Sequence, residues 1–189
     1  HHLSPNPGED FQMFEKDLPG KRTKNFATSE KNIGNLPLEV CETINGSWGF
    51  NLKDRKHKST KQLIHYLVKA AGYGSNLLLN VGPMPNGKIQ EEHIESLKKI
   101  GSWIKVNGET IYKSKKGPIN PTDEVASTQI DNVIYIHLLN EKKIKYLLEG
   151  FTTKFRKISY FKSNKKVSYK QNSEGMILFL DKKEINPIN

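Results

Sequence analysis

The order of the predicted elements in the first 110 residues restricts the fold of this chain more than any other feature. Strand-like segments at 37–44 and 76–81 alternate with amphipathic helical segments at 59–71 and 90–107. The segment 76–81 has the sequence Asn-Leu-Leu-Leu-Asn-Val, and such a continuous apolar run is typical of a strand that is buried on both faces. The alternation indicates an α/β fold in which helices cover a parallel sheet.

Local signals mark the ends of the first helix. Ser59 and Gln62 have the spacing of a capping box, and Gly72 stands where a left-handed residue often ends a helix. The region before residue 37 has little periodicity, and only two short apolar patches interrupt it, Phe11–Phe14 and Leu36–Leu38. We expect long loops there, and long loops within a compact protein are usually functional or disordered.

The pattern changes after Pro118-Ile119-Asn120-Pro121. Short strand-like segments follow, separated by turn residues at the spacing of an all-β sandwich; they cover 133–139, 144–148, 155–161, 166–169 and 176–180. We therefore expect two domains, an α/β part at 1–117 and an antiparallel β-sandwich at 118–189.

The charge of the chain is strongly positive, with a formal net value of +10. Residues 111–189 contribute 15 basic and 8 acidic side chains, and the basic ones are scattered along alternating segments in the way of a solvent-exposed sheet face. No nucleic-acid-binding motif accompanies them, so we expect no nucleic-acid partner. No apolar run approaches the roughly 18 residues of a membrane span.

Several side chains allow both a functional and a structural interpretation. Glu9 and Glu15 are loop carboxylates, and Glu15 follows Phe14, a setting in which burial beside an aromatic ring can produce a general acid. Trp48, in a loop after a strand, is equally well a platform for a sugar ring or a core residue. Cys41 is expected to be a small core residue. No histidine spacing is typical of a metal site.

Three longer motifs resemble the α-L-fucosidases of glycoside hydrolase family 29. They follow one another in the family's order, and they are Glu39-Val40-Cys41-Glu42-Thr43-Ile44-Asn45-Gly46-Ser47-Trp48-Gly49-Phe50, Asn76-Leu77-Leu78-Leu79-Asn80-Val81-Gly82-Pro83, and Ile100-Gly101-Ser102-Trp103-Ile104-Lys105-Val106-Asn107-Gly108-Glu109-Thr110-Ile111-Tyr112. The resemblance is good up to about residue 118 and looser beyond it.

This resemblance implies the C-terminal part of a (β/α)8-like barrel followed by a β-sandwich. It also implies a retaining exo-α-L-fucosidase, which needs a nucleophile and an acid/base carboxyl about 5–5.5 Å apart. The family's nucleophile is an aspartate on an earlier barrel strand. We therefore expect the nucleophile to lie outside this chain, and we expect the upstream barrel half of the same enzyme to be its partner.

The resemblance also suggests roles for individual residues. Asp10-Phe11-Gln12-Met13-Phe14-Glu15 is similar to the family's Asp-aromatic-x-x-x-Glu pattern and makes Glu15 the expected acid/base residue. Glu9 is the alternate, and Glu39 is a weaker candidate. Trp48 matches the tryptophan that lines the fucose pocket, and His2 is a possible pocket residue unless His1-His2 is a tag remnant.

The expected substrate is therefore a fucosylated oligosaccharide or glycoconjugate, and we expect no cofactor and no metal. Fucosidases of this kind act on glycans outside the cytoplasm, so we expect an extracytoplasmic location. The alternative is a non-catalytic carbohydrate-binding or interaction module that retains part of a barrel.

Overall fold

The computed structural model describes residues 7–19 and 33–185. Its first part is a three-stranded parallel sheet with two helices, and the elements in chain order are β1 (Gln12–Glu15), β2 (Leu38–Thr43), α1 (Thr60–Gly72), β3 (Ser75–Asn80) and α2 (Glu91–Asn107). The predicted parallel sheet is confirmed, whereas β1 was not predicted from the sequence. None of the helices in these two ranges is long and apolar enough to cross a membrane.

The two faces of this sheet differ in what covers them. Phe14, Val40 and Leu77 occupy paired positions on the three strands and pack with Ala70 of α1. On the opposite face Leu78 is 45% exposed. The expectation that 76–81 is buried on both faces is therefore wrong for the described part of the chain, because Leu78 is exposed at the edge strand β3.

The start of α1 confirms the capping box. The Gln62 amide donates to Ser59 Oγ at 3.2 Å, and the Ser59 amide donates to Gln62 Oε1 at 2.8 Å. The expectation for Gly72 is wrong, because the left-handed residue is Gly74, with φ of +74°. Gly72 ends the helix and packs tightly, since a Cβ there would lie 2.8 Å from Cγ of Pro121.

Two antiparallel sheets and two 3-10 turns, Gly108–Thr110 and Lys182–Glu184, make up the second part. The first sheet contains β4 (Lys115–Lys116), β5 (Val125–Ile130) and β6 (Val133–Leu138), and the second contains β7 (Lys145–Glu149), β9 (Gly175–Phe179) and β8 (Ser168–Gln171) in that order. Side chains of both sheets share one core, among them Val125 and Ile136 of the first and Tyr146 and Met176 of the second.

The strand expected at 155–161 is wrong. Phe155, Ile158 and Tyr160 do pack against the core of the second part. The backbone there forms only an isolated bridge, between Ser159 and Lys166. Apolar side chains are therefore partly buried here without a strand ladder.

The α/β part and the antiparallel sheets are in contact. Ala126 and Leu139 belong to the same buried cluster as Leu63 of α1 and Ile100 of α2. Ion pairs that join Lys61 to Glu141 and Lys69 to Asp123 border this contact. The division into domains at 117/118 remains a prediction.

A histidine of β6 makes the stability of the fold depend on pH. His137 Nε2 lies 3.0 Å from the hydroxyl of Thr128, which is fully buried and donates its own proton to the carbonyl of Thr110. Burial lowers the pKa of His137 to about 4. Below about pH 6.5 the His137 imidazole is protonated in the unfolded chain but stays neutral in the folded protein. Acid therefore favours unfolding.

We therefore expect His137 to weaken the fold as the pH falls from about 6.5 to about 4, by about 1.4 kcal/mol for each pH unit. Urea unfolding of the protein at pH 7 and pH 5 measures this loss. In His137→Gln the loss between the two pH values should be smaller. An equal loss in the wild type and the variant would contradict the assignment.

Candidate active site

The carboxyl ends of the three parallel strands bring the candidate residues together. Glu15 is the last residue of β1, the loop after β2 contains Trp48, and Asn80 is the last residue of β3. In parallel α/β folds, catalytic and binding residues lie at this edge of the sheet. The fold therefore gathers side chains that are far apart in the sequence.

Glu15 and Trp48 are in direct contact. The indole Nε1 of Trp48 donates a hydrogen bond to Glu15 Oε1 at 2.8 Å. Glu15 is half-buried, and the Trp48 ring is 37% exposed. The structure thus places the expected acid/base residue beside the expected sugar-binding ring and leaves part of the ring accessible.

Three hydrogen bonds with two side chains, Asp54 and Asn80, fix the loop that carries Trp48. Asp54 Oδ2 accepts from the amides of Gly46 and Ser47 at 2.8 and 2.7 Å. A hydrogen bond from the Ser47 side chain, and then those from the two amides, lower the pKa of Asp54. Asn80 Nδ2 donates to the carbonyl of Trp48 at 2.7 Å. Trp48 is therefore held from β3 as well as from its own loop.

A lysine fixes the base of the same loop. Lys58 Nζ donates to the carbonyls of Thr43 and Asn45 at 2.8 and 3.1 Å, and it lies 3.2 Å from the buried carboxylate of Glu42. Glu42 also accepts from the Thr43 amide at 2.8 Å. Glu42 and Lys58 therefore stabilise the end of β2, and Glu42 belongs to this structural network.

The remaining candidates lie elsewhere. Glu9 is half-buried in the segment before β1. Cys41 of β2 is paired with Glu15, and Glu39 lies on the same face of β2. Glu39 is two residues farther than Cys41 from the carboxyl end of the strand, a distance of roughly 7 Å. Cys41 is buried and unoxidised, as expected. His2 lies outside the described residues.

Two histidines pack together beside this edge. The rings of His57 and His93 meet edge to face with centroids 5.2 Å apart. Burial, and then the charge of His57, lower the pKa of His93. Within 7–19 and 33–185, no group of three His, Cys, Asp or Glu side chains is arranged to hold a metal ion.

Sequence reasoning missed three residues that shape the site. Asp54 lies in a stretch notable for its basic residues, Asn80 belongs to the second family motif, and Lys16 directly follows the expected acid/base residue. Polar residues at the end of a strand or in the loop after it would have been the signal for Lys16 and Asn80. Asp54 lies eight residues after Gly46, so no local sequence pattern predicts its hydrogen bond with the Gly46 amide.

Comparison with known proteins identifies the family of this chain. The family model described as alpha-L-fucosidase matches residues 1–109, a range that includes Glu15, Trp48 and all of α2. The chain belongs to the alpha-L-fucosidase family. The family resemblance of the three sequence motifs is thereby confirmed, and this family consists of glycoside hydrolases.

Two curated fucosidases extend the comparison. Tissue alpha-L-fucosidase of Bos taurus is 32% identical over 152 residues, which are 75% of this chain and 32% of that protein. Human plasma alpha-L-fucosidase is 33% identical over 105 residues, which are 51% of this chain and 22% of that protein. The chain thus spans about a quarter to a third of the length of these fucosidases.

A solved fucosidase has a similar fold. The alpha-fucosidase of Thermotoga maritima in complex with fucose matches with a TM-score of 0.77 and 24% identity. The match covers 95% of this chain and 40% of that protein. At this identity the likeness concerns the fold, and it extends over both the α/β part and the antiparallel sheets.

Proposed function

We propose that this chain is the C-terminal part of a retaining exo-α-L-fucosidase that releases terminal α-L-fucose from glycans or fucosides. The observation that carries the proposal is the hydrogen bond between Glu15 and Trp48 in a chain of the alpha-L-fucosidase family. It joins a carboxyl group to an aromatic ring at the carboxyl edge of a parallel sheet, where barrel enzymes bind their substrates.

Glu15 acts as the acid/base residue in two successive steps. First its carboxylic acid gives a proton to the glycosidic oxygen, while an aspartate nucleophile forms a covalent fucosyl-enzyme intermediate and the alcohol leaves. The resulting Glu15 carboxylate then takes a proton from water, and that water attacks the anomeric carbon and frees the nucleophile. Two inversions at this carbon give fucose with retained α configuration.

Trp48 contributes apolar surface to the fucose pocket. Fucose carries a methyl group on C5, and an exposed indole face can pack against this methyl and the sugar ring. The Trp48 N–H group faces Glu15, so its hydrogen bond also orients the carboxyl that performs the proton transfers. One residue thus serves both sugar binding and the geometry of the acid/base group.

An upstream barrel half of the same enzyme supplies the nucleophile and covers the open face of the parallel sheet. On that face Met13 and Leu78 are 39% and 45% exposed, and Phe11 just before β1 is 48% exposed. Large apolar side chains that are exposed on one sheet face are consistent with an interface there. The complete molecule is then a (β/α)8-like barrel followed by an antiparallel β-sandwich.

The location proposed for the enzyme is extracytoplasmic. One of its relatives carries the name plasma alpha-L-fucosidase, and fucosylated oligosaccharides or glycoconjugates are its proposed substrates. The proposed chemistry requires two carboxyl groups and water, with no cofactor.

Proton NMR of the reaction catalysed by the complete protein tests the proposed mechanism. With an aryl α-L-fucoside as substrate, the first fucose to appear should be the α anomer, before mutarotation produces the β anomer. A first product with β configuration would exclude the retaining mechanism. Absence of fucose release by the complete, folded protein would exclude the fucosidase function.

A further inference from the structure

Lys16 has a backbone conformation that is uncommon for a residue with a side chain. Its φ angle is +58°, in the left-handed region. Its amide still donates to the carbonyl of Cys41 at 2.8 Å, so it lies at the very end of the ladder between β1 and β2. Left-handed residues at such positions often serve a site, and the contacts of Lys16 indicate which site.

The left-handed conformation lets two consecutive side chains, Glu15 and Lys16, contact the same residue. In a continuous strand, successive side chains point to opposite faces, so Lys16 would follow Phe14 into the helix-covered core. Instead Lys16 Nζ lies 5.1 Å from the centroid of the Trp48 ring, while Glu15 accepts the hydrogen bond of the same ring. Trp48 is therefore contacted by both residues.

Lys16 also holds the loop that leads to Trp48. Its Nζ donates to the carbonyl of Gly46 at 2.6 Å. The N–H of the same peptide group belongs to Ser47 and donates to Asp54 at 2.7 Å. This peptide group, which precedes Trp48 by one residue, is thus held on its oxygen by Lys16 and on its nitrogen by Asp54.

We propose that Lys16 is a positioning residue for the acid/base pair: its ammonium group holds the Trp48 ring and the Gly46 carbonyl so that the indole N–H remains directed at Glu15. The expected effect on kcat rests on the proposed fucosidase function, whereas the expected effect on the position of the Trp48 ring does not. A cation over an indole face is favourable because of the ring quadrupole. The hydrogen bond to Gly46 fixes where this cation stands.

The test uses the complete protein labelled with 5-fluorotryptophan and compares Lys16→Met, Lys16→Arg and, as a matched control, Lys53→Met. Lys53 is an exposed lysine of the same loop. Fluorine NMR gives one resonance for each tryptophan, and Trp48→Phe and Trp103→Phe identify the two of interest. Trp103 packs against the core beside α1 and so reports whether the fold is intact.

Lys16→Met should shift or broaden the Trp48 resonance, leave the Trp103 resonance in place and lower kcat for fucosides by about tenfold. Lys16→Arg keeps the charge, so its Trp48 resonance and its kcat should both be close to those of the wild type. Lys53→Met should change neither the Trp48 resonance nor kcat. An unchanged Trp48 resonance or an unchanged kcat in Lys16→Met would overturn the proposal, as would equal changes at Trp48 and Trp103. If the wild type releases no fucose, the proposed function fails, and the NMR result still decides whether Lys16 positions Trp48.

Discussion

Glu15→Gln in the complete protein should lower kcat for fucosyl oligosaccharides by about 10²–10⁴-fold. The departing sugar alcohol is a poor leaving group, so the first step depends on proton donation, and an amide cannot provide it. An aryl fucoside with an acidic phenol needs less help in that step and should lose less activity. Steady-state kinetics with the two substrate classes measure the difference.

Glu9→Gln is the matched control for this experiment, because it removes a carboxyl from the segment just before β1. We expect it to keep near wild-type turnover with both substrate classes. If Glu9→Gln loses activity and Glu15→Gln retains it, the acid/base role belongs to Glu9. Near wild-type turnover of oligosaccharides by both variants would place the acid/base group elsewhere.

Gly82→Ala should have the second-largest effect, because the loop of Trp48 passes directly against Gly82. A Cβ at Gly82 would lie 2.6 Å from the carbonyl carbon of Gly49 and 2.7 Å from the amide nitrogen of Phe50. Both atoms belong to the backbone, so the loop has to move. We expect a loss of about 1–3 kcal/mol in the free energy of unfolding from overpacking. A shift of about 1 Å at Trp48 should also reduce kcat/KM by up to about 100-fold.

Gly101→Ala provides the comparison for Gly82→Ala. A Cβ at Gly101 meets nothing within 4 Å, and the residue lies within α2. We expect a gain of about 0.5–1 kcal/mol in stability, because alanine is the better helix former, and unchanged kinetics. Thermal unfolding and kinetics of the two variants check both statements. A fully active and stable Gly82→Ala would mean that the loop of Trp48 adapts without moving the ring.

The regular elements were predictable where the burial pattern has a clear period. Helix α1 could be recognised from its apolar stripe and its capping box, and β3 from three consecutive leucines. Strand β5 was missed because its buried positions include Ser127 and Thr128, whose hydroxyl groups bond to the backbone of other segments. A hydrophobic pattern does not detect a strand whose core side chains are polar.

Candidate site residues could be proposed from the sequence, but their arrangement could not. The family resemblance suggested Glu15 and Trp48 as site residues, but the contact between them spans 33 positions of the chain. It forms because β1 and β2 are parallel neighbours whose carboxyl ends lie side by side. The contribution of Lys16 depends on one left-handed residue, and lysine gives no local sign of that conformation.

Azide provides the most direct test of Glu15 as the acid/base residue of a retaining fucosidase. In Glu15→Gln the fucosyl-enzyme intermediate should accumulate with an aryl fucoside, since water lacks its general base. Azide needs no base, so it should raise the turnover of the variant and yield α-L-fucosyl azide with retained configuration, as NMR would show. A rate that azide does not change, or a fucosyl azide with β configuration, would contradict the assignment of Glu15.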